Sequence, residues 1–122
     1  MNEYPIYYTM EKIKGKWSII ILCFLNEGPK RNGELLRLIP YISQKMLTAH
    51  LRKLEEEKLI NRKQISEKPL LIEYSLTDYG STLKPLLDEM RIWGEKNNPN
   101  FNKEEAIKQK LAAKYTKLKD IK

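Results

Sequence analysis

The sequence predicts a mainly α-helical fold carrying one small β-hairpin, and three observations predict it. Apolar residues recur at spacings of three and four in several separate stretches, the period of helices that bury one face. Between about residues 60 and 76 the pattern turns to alternation on either side of Ser66-Glu67-Lys68-Pro69, which reads as two strands joined by a loop. The 122 residues, 41% hydrophobic and 32% charged, suit one modest globular domain and not a disordered chain.

Residues 4 to 14 read as a short first helix or arm whose Tyr4, Ile6, Tyr7, Tyr8 and Met10 offer more apolar surface than its length can bury alone. Gly15 separates it from a helix over Lys16 to Asn26 that is apolar on nearly all sides and belongs at the centre of the fold. Cys23, the single cysteine, lies inside that helix and is expected as a small buried hydrophobe. Gly28-Pro29 ends the helix. A third helix follows from Asn32, its expected cap, to Ile39, with Leu35, Leu36 and Ile39 turned inward.

Only Pro40-Tyr41-Ile42 separates this helix from the next, a spacing typical of helix-turn-helix units. Ser43 is a good N-cap for a helix running to about Lys58. Leu47, Leu51 and Leu54 share its inner side, and Lys45, Thr48, Ala49 and Arg52 share the outer side. A small residue between long cations allows close approach to a surface, and the DNA major groove admits a helix of this kind. Gln44 stands at the leading end. Glu55-Glu56-Glu57 would repel phosphate, but lies about 15 Å farther along the axis at about 1.5 Å per residue.

Strands over Ile60 to Ile65 and Leu70 to Leu76 form the hairpin, with Ile72, Tyr74 and Leu76 on one face. Thr77 caps a helix over Asp78 to Gly94 that should bend or break at Pro85. Residues 97 to 100 form a linker, and Asn102 with Glu105 makes a capping box for a last helix over Lys103 to Lys119. Domain organisation follows: an N-terminal arm at 1–14, a DNA-binding core at 15–77, a dimerisation helix at 78–96, and a linker with a basic helix at 97–122.

Formal charge is +7, which favours an anionic partner. The excess concentrates at residues 40 to 63, with six Lys or Arg against three Glu, and at residues 100 to 122, with seven Lys against three acids. No apolar run reaches membrane-spanning length and no export signal is present, so a cytoplasmic protein is expected. One Cys and one His supply neither a zinc cluster nor a nucleophilic pair, and no Gly-rich phosphate loop occurs. The reading is therefore not an enzyme, with no metal and no cofactor; a small-molecule effector is left open.

Residues 13–17 (IKGKW), 28–35 (GPKRNGEL), 42–55 (ISQKMLTAHLRKLE) and 73–80 (EYSLTDYG), closed by Trp93, resemble the winged helix-turn-helix transcriptional regulators of the HxlR type, within the wider MarR-like class. The resemblance covers about residues 4 to 95. It implies a homodimer on an inverted-repeat operator, the helix from Ser43 in the major groove and the wing at the backbone or minor groove. Many members carry a Cys-Pro pair near the N-terminus, and some sense oxidants or aldehydes through it. Tyr4-Pro5 stands there in this chain, so that route to thiol sensing is absent. The helix from Lys103 is also longer than the usual family ending.

Base contacts are accordingly expected from Gln44, Lys45, Thr48 and Arg52, and backbone contacts from Arg31, Asn32, Lys53, Lys63 and Lys68. The dimer interface is expected from Tyr4, Ile6, Tyr7, Tyr8 and Met10 together with Leu83, Leu86, Leu87, Met90 and Trp93, because a small winged core has no room for both groups. Two other functions compete. A protein-assembly module would suit the triple Glu and a wing poor in arginine, and an architectural protein would bind duplex DNA without sequence preference.

Overall fold

The computed structural model describes residues 3–105 and 107. Residues up to Lys84 form one compact unit, and residues from Pro85 form another. In the first unit the chain runs through α1 (Pro5–Lys12), α2 (Lys16–Asn26), β1 (Lys30–Arg31), α3 (Asn32–Leu38), α4 (Gln44–Glu56), β2 (Ile60–Glu67), β3 (Leu70–Leu76) and α5 (Asp78–Ser81). The mainly helical fold with a β-hairpin wing is the one expected.

The core is built from the inner faces of α2, α3 and α4. Ile21, Leu22 and Leu25 of α2 are buried, as are Leu35 of α3 and Leu47, Leu51 and Leu54 of α4. Each such side chain contributes about 1.5–3 kcal/mol through the apolar surface it removes from water. Cys23 is only half-buried, not enclosed as expected, because α2 buries the face of Ser18, Ile21, Leu22 and Leu25 and leaves the sulfur at its margin. Ile39 and Ile42 are also buried and anchor the turn between α3 and α4. Between them Tyr41 is 98% exposed and takes a positive φ of 65°.

The sheet holds three antiparallel strands in the order β1-β3-β2. Its first strand was not foreseen: Lys30 pairs with Tyr74 and Arg31 with Glu73, and two residues are too few to show a period of two. The hairpin is longer than predicted, since β2 continues to Glu67 past an irregularity between Gln64 and Ser66 and leaves only Lys68-Pro69, joined by a cis peptide, at the tip. Most of β2 after Ile60 is exposed, so the hairpin projects as a wing whose base alone is packed.

The base is closed by hydrogen bonds. Lys58 has a φ of 61°, and the Leu59 amide donates to the Leu54 carbonyl while the Lys58 amide donates to that of Glu55. This pair of bonds is the Schellman arrangement, with a lysine where glycine usually sits. Thr77 Oγ1 donates to the Lys58 carbonyl at 2.7 Å and accepts the Gly80 amide at 2.8 Å, which caps α5 as predicted. Gly80 lies so close to the Leu59 carbonyl that a Cβ would overlap its oxygen.

The single helix expected over Asp78 to Gly94 is in fact two, α5 and α6 (Lys84–Asn97), and the break falls at Thr82–Leu83. Pro85 is its cause. In the first turn of α6 the missing N–H has no helical acceptor to lose, whereas in mid-helix it would. Within the second unit Arg91 and Glu95 pair at 2.9 Å, and Leu86, Met90 and Trp93 are exposed along one stripe of α6. Leu87, expected at an interface, is already buried within the chain at 1% exposure. The Asn102 side chain caps a helical start at 103–105 by accepting the amides of Glu104 and Glu105. The remainder of that helix, with Leu111, Tyr115 and Leu118, lies outside the described residues.

Candidate nucleic-acid interface

The outer face of α4 is set by its N-terminus. Ser43 is extended and its hydroxyl accepts the Met46 amide at 3.1 Å, so the helix begins at Gln44 and its register points Leu47, Leu51 and Leu54 inward. Lys45, Ala49 and Arg52 are then exposed, and Thr48 is half-buried. Neither Lys45 nor Arg52 has an ion-pair partner among the described residues. Two unneutralised cations flank a methyl group.

At the leading end three polar side chains meet. Asn32 Nδ2 donates to Gln44 Oε1 at 2.8 Å, and Gln44 Nε2 donates back to Asn32 Oδ1 at 3.1 Å and to Thr48 Oγ1 at 3.0 Å. Asn32 was expected to cap α3, but Arg31 occupies the cap position and Asn32 is the first helical residue. Its side chain is thereby turned toward α4 and away from its own helix. Asparagine is the better capping residue by propensity, but its partner Gln44 lies 12 residues away and is brought to it only by the fold.

The cations expected at the backbone differ in what they offer. Lys63 and Lys68 on the wing are exposed. Lys63 faces Glu73 across the strands, while Arg62, overlooked in the sequence, faces Tyr74 and has no acidic residue opposite. Only strand register distinguishes the two. Lys53 donates to the Lys14 carbonyl at 3.0 Å and so braces the connection between α1 and α2. Arg31 departs most from expectation. Its side chain is 12% exposed, with Nε 3.7 Å from Glu34 Oε1, and that carboxylate also accepts the Arg31 amide at 3.0 Å. A guanidinium held this way is not free to reach phosphate.

On the inner side of α4, His50 Nδ1 lies 3.1 Å from Ser18 Oγ. Burial, with the Lys53 charge adding to it, pushes the imidazole below its ordinary value. Histidine is therefore neutral near pH 7 and adds nothing to the positive face. At the other end of α4, Glu57 accepts from Lys12 at 2.8 Å, which raises the lysine and neutralises one of the three acids. An open cavity of about 140 Å³ lies beside this pair, bounded by Tyr8 of α1, Leu59, and Tyr79 and Leu83 of the α5 region. Tyr8 and Tyr79 share a hydrogen bond of 3.2 Å across it, which raises the Tyr79 phenol.

Several known proteins are similar to this chain in sequence and fold. The family described as HxlR-like helix-turn-helix matches residues 12–102. The uncharacterized HTH-type transcriptional regulator YdeP of Bacillus subtilis is 42% identical over 105 residues, which cover 86% of this chain and 82% of that one. YkvN, an uncharacterized HTH-type regulator of the same organism, is 50% identical over 86 residues, covering 70% and 73% of the two chains. Among solved structures, the redox regulator HypR in its reduced form superposes with a TM-score of 0.74 at 40% identity, covering 79% of this chain and 95% of that one. All three are regulators, and among the described residues no group of His, Cys, Asp and Glu could hold a metal. No helix of the described residues is long and apolar enough to cross a membrane. The chain belongs to the HxlR-like family of winged helix-turn-helix transcriptional regulators.

Proposed function

We propose that the chain acts as a sequence-specific, homodimeric regulator on an inverted-repeat operator, with α4 in the major groove and the β2–β3 wing along the backbone or minor groove. The observation that carries this is the outer face of α4, where exposed Lys45 and Arg52 flank Ala49 without acidic partners. Lys45, Thr48 and Arg52 are the candidates for base contacts, and Lys63, Lys68 and Arg62 for phosphate. Arg31 is set aside because Glu34 holds it. Dimerisation is supported by exposed Tyr4, Ile6, Tyr7, Tyr8 and Met10 in and beside α1, a helix that buries none of its residues, and by exposed Leu86, Met90 and Trp93 on α6. Apolar surface of this kind is usually covered by a partner. A two-fold dimer would hold its α4 helices about 34 Å apart, one turn of duplex.

Selection of bound sequences from random duplex DNA is the test. The expected product is a palindromic site, and Lys45→Ala and Arg52→Ala should each lose about 1–3 kcal/mol against it where they contact bases. Full retention of affinity and preference by both variants at one salt concentration would falsify the assignment.

A further inference from the structure

The amide pair at the head of α4 bears on which bases this helix reads, an inference that rests on the DNA-binding function proposed above. A glutamine distinguishes adenine by pairing through one edge of its carboxamide, with the oxygen taking a proton from N6 and the nitrogen giving one to N7. In this chain that edge of Gln44 already faces Asn32, by reciprocal bonds of 2.8 and 3.1 Å. The other Gln44 N–H goes to Thr48 Oγ1 at 3.0 Å, so both donor hydrogens are engaged. Thr48 Oγ1 accepts in that bond and keeps its own hydrogen, which no described residue takes. Asn32 likewise retains one N–H and one lone pair.

We propose that Asn32 is a positioning residue for sequence readout: it occupies the adenine-reading edge of Gln44 and leaves the Thr48 hydroxyl, with exposed Lys45 beside it, free to read a base at the head of the helix. Three features favour this over a phosphate contact by Asn32. Its carboxamide is engaged by another side chain and not directed outward alone. The contact joins the first residue of α3 to the first residue of α4, the two helices of the helix-turn-helix, so it also fixes the Gln44 rotamer before DNA arrives. Finally, the Thr48 hydroxyl, with its oxygen already accepting, is left as a donor, and a single donor suits N7 of either purine, O6 of guanine and O4 of thymine without selecting adenine.

The test has an arm with DNA and an arm without. In the free protein, the Gln44 side-chain amide protons should resonate away from those of solvent-exposed glutamines in a nitrogen–proton correlation spectrum, and Asn32→Ala should return them to the exposed range. With random-duplex selection at fixed salt, the wild type should show no adenine preference at the base facing the head of α4. Asn32→Ala should gain one of about fivefold or more, and Asn32→Ala/Gln44→Ala should lose it again. The variant's melting temperature confirms folding, and Asn32→Ser, which shortens the side chain but keeps a polar group at the helix start, serves if the alanine variant is unfolded. A uniform loss of affinity for every sequence in Asn32→Ala, with a salt slope reduced by about one, would identify a phosphate contact and overturn the proposal. Unchanged Gln44 amide resonances or unchanged base preference would overturn it as well. If the wild type binds no duplex at all while the Gln44 resonances behave as stated, the DNA-binding function is what fails, and the readout role fails with it.

Discussion

His50 shows how one side chain ties stability to solution conditions. Its imidazole rests against Ser18 at 3.1 Å and sits below its ordinary value through burial and the Lys53 charge. The unfolded chain therefore takes up the proton first as pH falls. The stability owed to neutral His50 is complete above about pH 6.5 and declines as pH drops from there through the depressed folded value. Melting temperature measured from pH 7.5 to 5.5 should fall, and His50→Gln should flatten the decline. An equally steep fall in the variant would exclude His50 as its source. Residue identity made His50 visible as an edge packer, because it neighbours Leu51 in sequence. Its partner was not visible, since Ser18 is 32 residues away and nothing local marks a buried serine. The same limit explains Asn32 and Arg31. Their chemistry suited a cap and a phosphate contact, and the structure instead gives Asn32 to Gln44 and Arg31 to Glu34.

Elements were legible where period and punctuation agree. The α2 limits follow from Gly15 and Gly28-Pro29, and the α4 start from Ser43. Ends that depend on backbone sign were not legible. Lys58 and Tyr41 both take positive φ, a region in which neither residue type is at home. Lys58→Gly should relieve the cost and stabilise the fold by up to about 1 kcal/mol in chemical denaturation, with the m-value unchanged. Gly80 makes the opposite prediction. A methyl group there would overlap the Leu59 carbonyl, which is backbone held by Thr77 and cannot easily retreat. Gly80→Ala should destabilise by about 1–3 kcal/mol or more, and a midpoint equal to wild type would show that the approach of α5 to Leu59 is looser than this geometry.

For the whole molecule, the question is what covers the apolar faces. The exposed side chains in and beside α1, and the separate stripe on α6, were both expected as interface, and each is open to solvent in the single chain. Leu87, already buried, and Leu83, half-buried beside Tyr8 and Tyr79, are the exceptions among the residues expected there. Sedimentation equilibrium at low micromolar concentration without DNA should give twice 14.5 kDa. A single species at the monomer mass would refute the dimer. Tyr7→Glu, which places charge on a 44% exposed residue of α1, should shift the population toward monomer if that face is covered by a second copy.

The clasp at the foot of the wing has a consequence for how the protein can be changed. Lys58, Thr77 and Gly80 are joined by short hydrogen bonds at the root of the hairpin, where β1 also pairs with β3 and Leu59, Ile60 and Tyr74 are buried. The far end carries no core residue, because Ile65 through Leu70 are exposed or only partly covered. A segment closed at its root and free at its tip is a cassette. Two or four glycines inserted between Lys68 and Pro69 should lower stability only by loop-closure entropy, about 0.6 kcal/mol for each doubling of loop length, and the same insertion at Thr77 should prevent folding. Thermal melts of the two insertion variants decide it. A tip insertion as damaging as the root insertion would mean that the hairpin cannot be exchanged as a unit. Such a tip is where the length of the hairpin can change without renegotiating the interior.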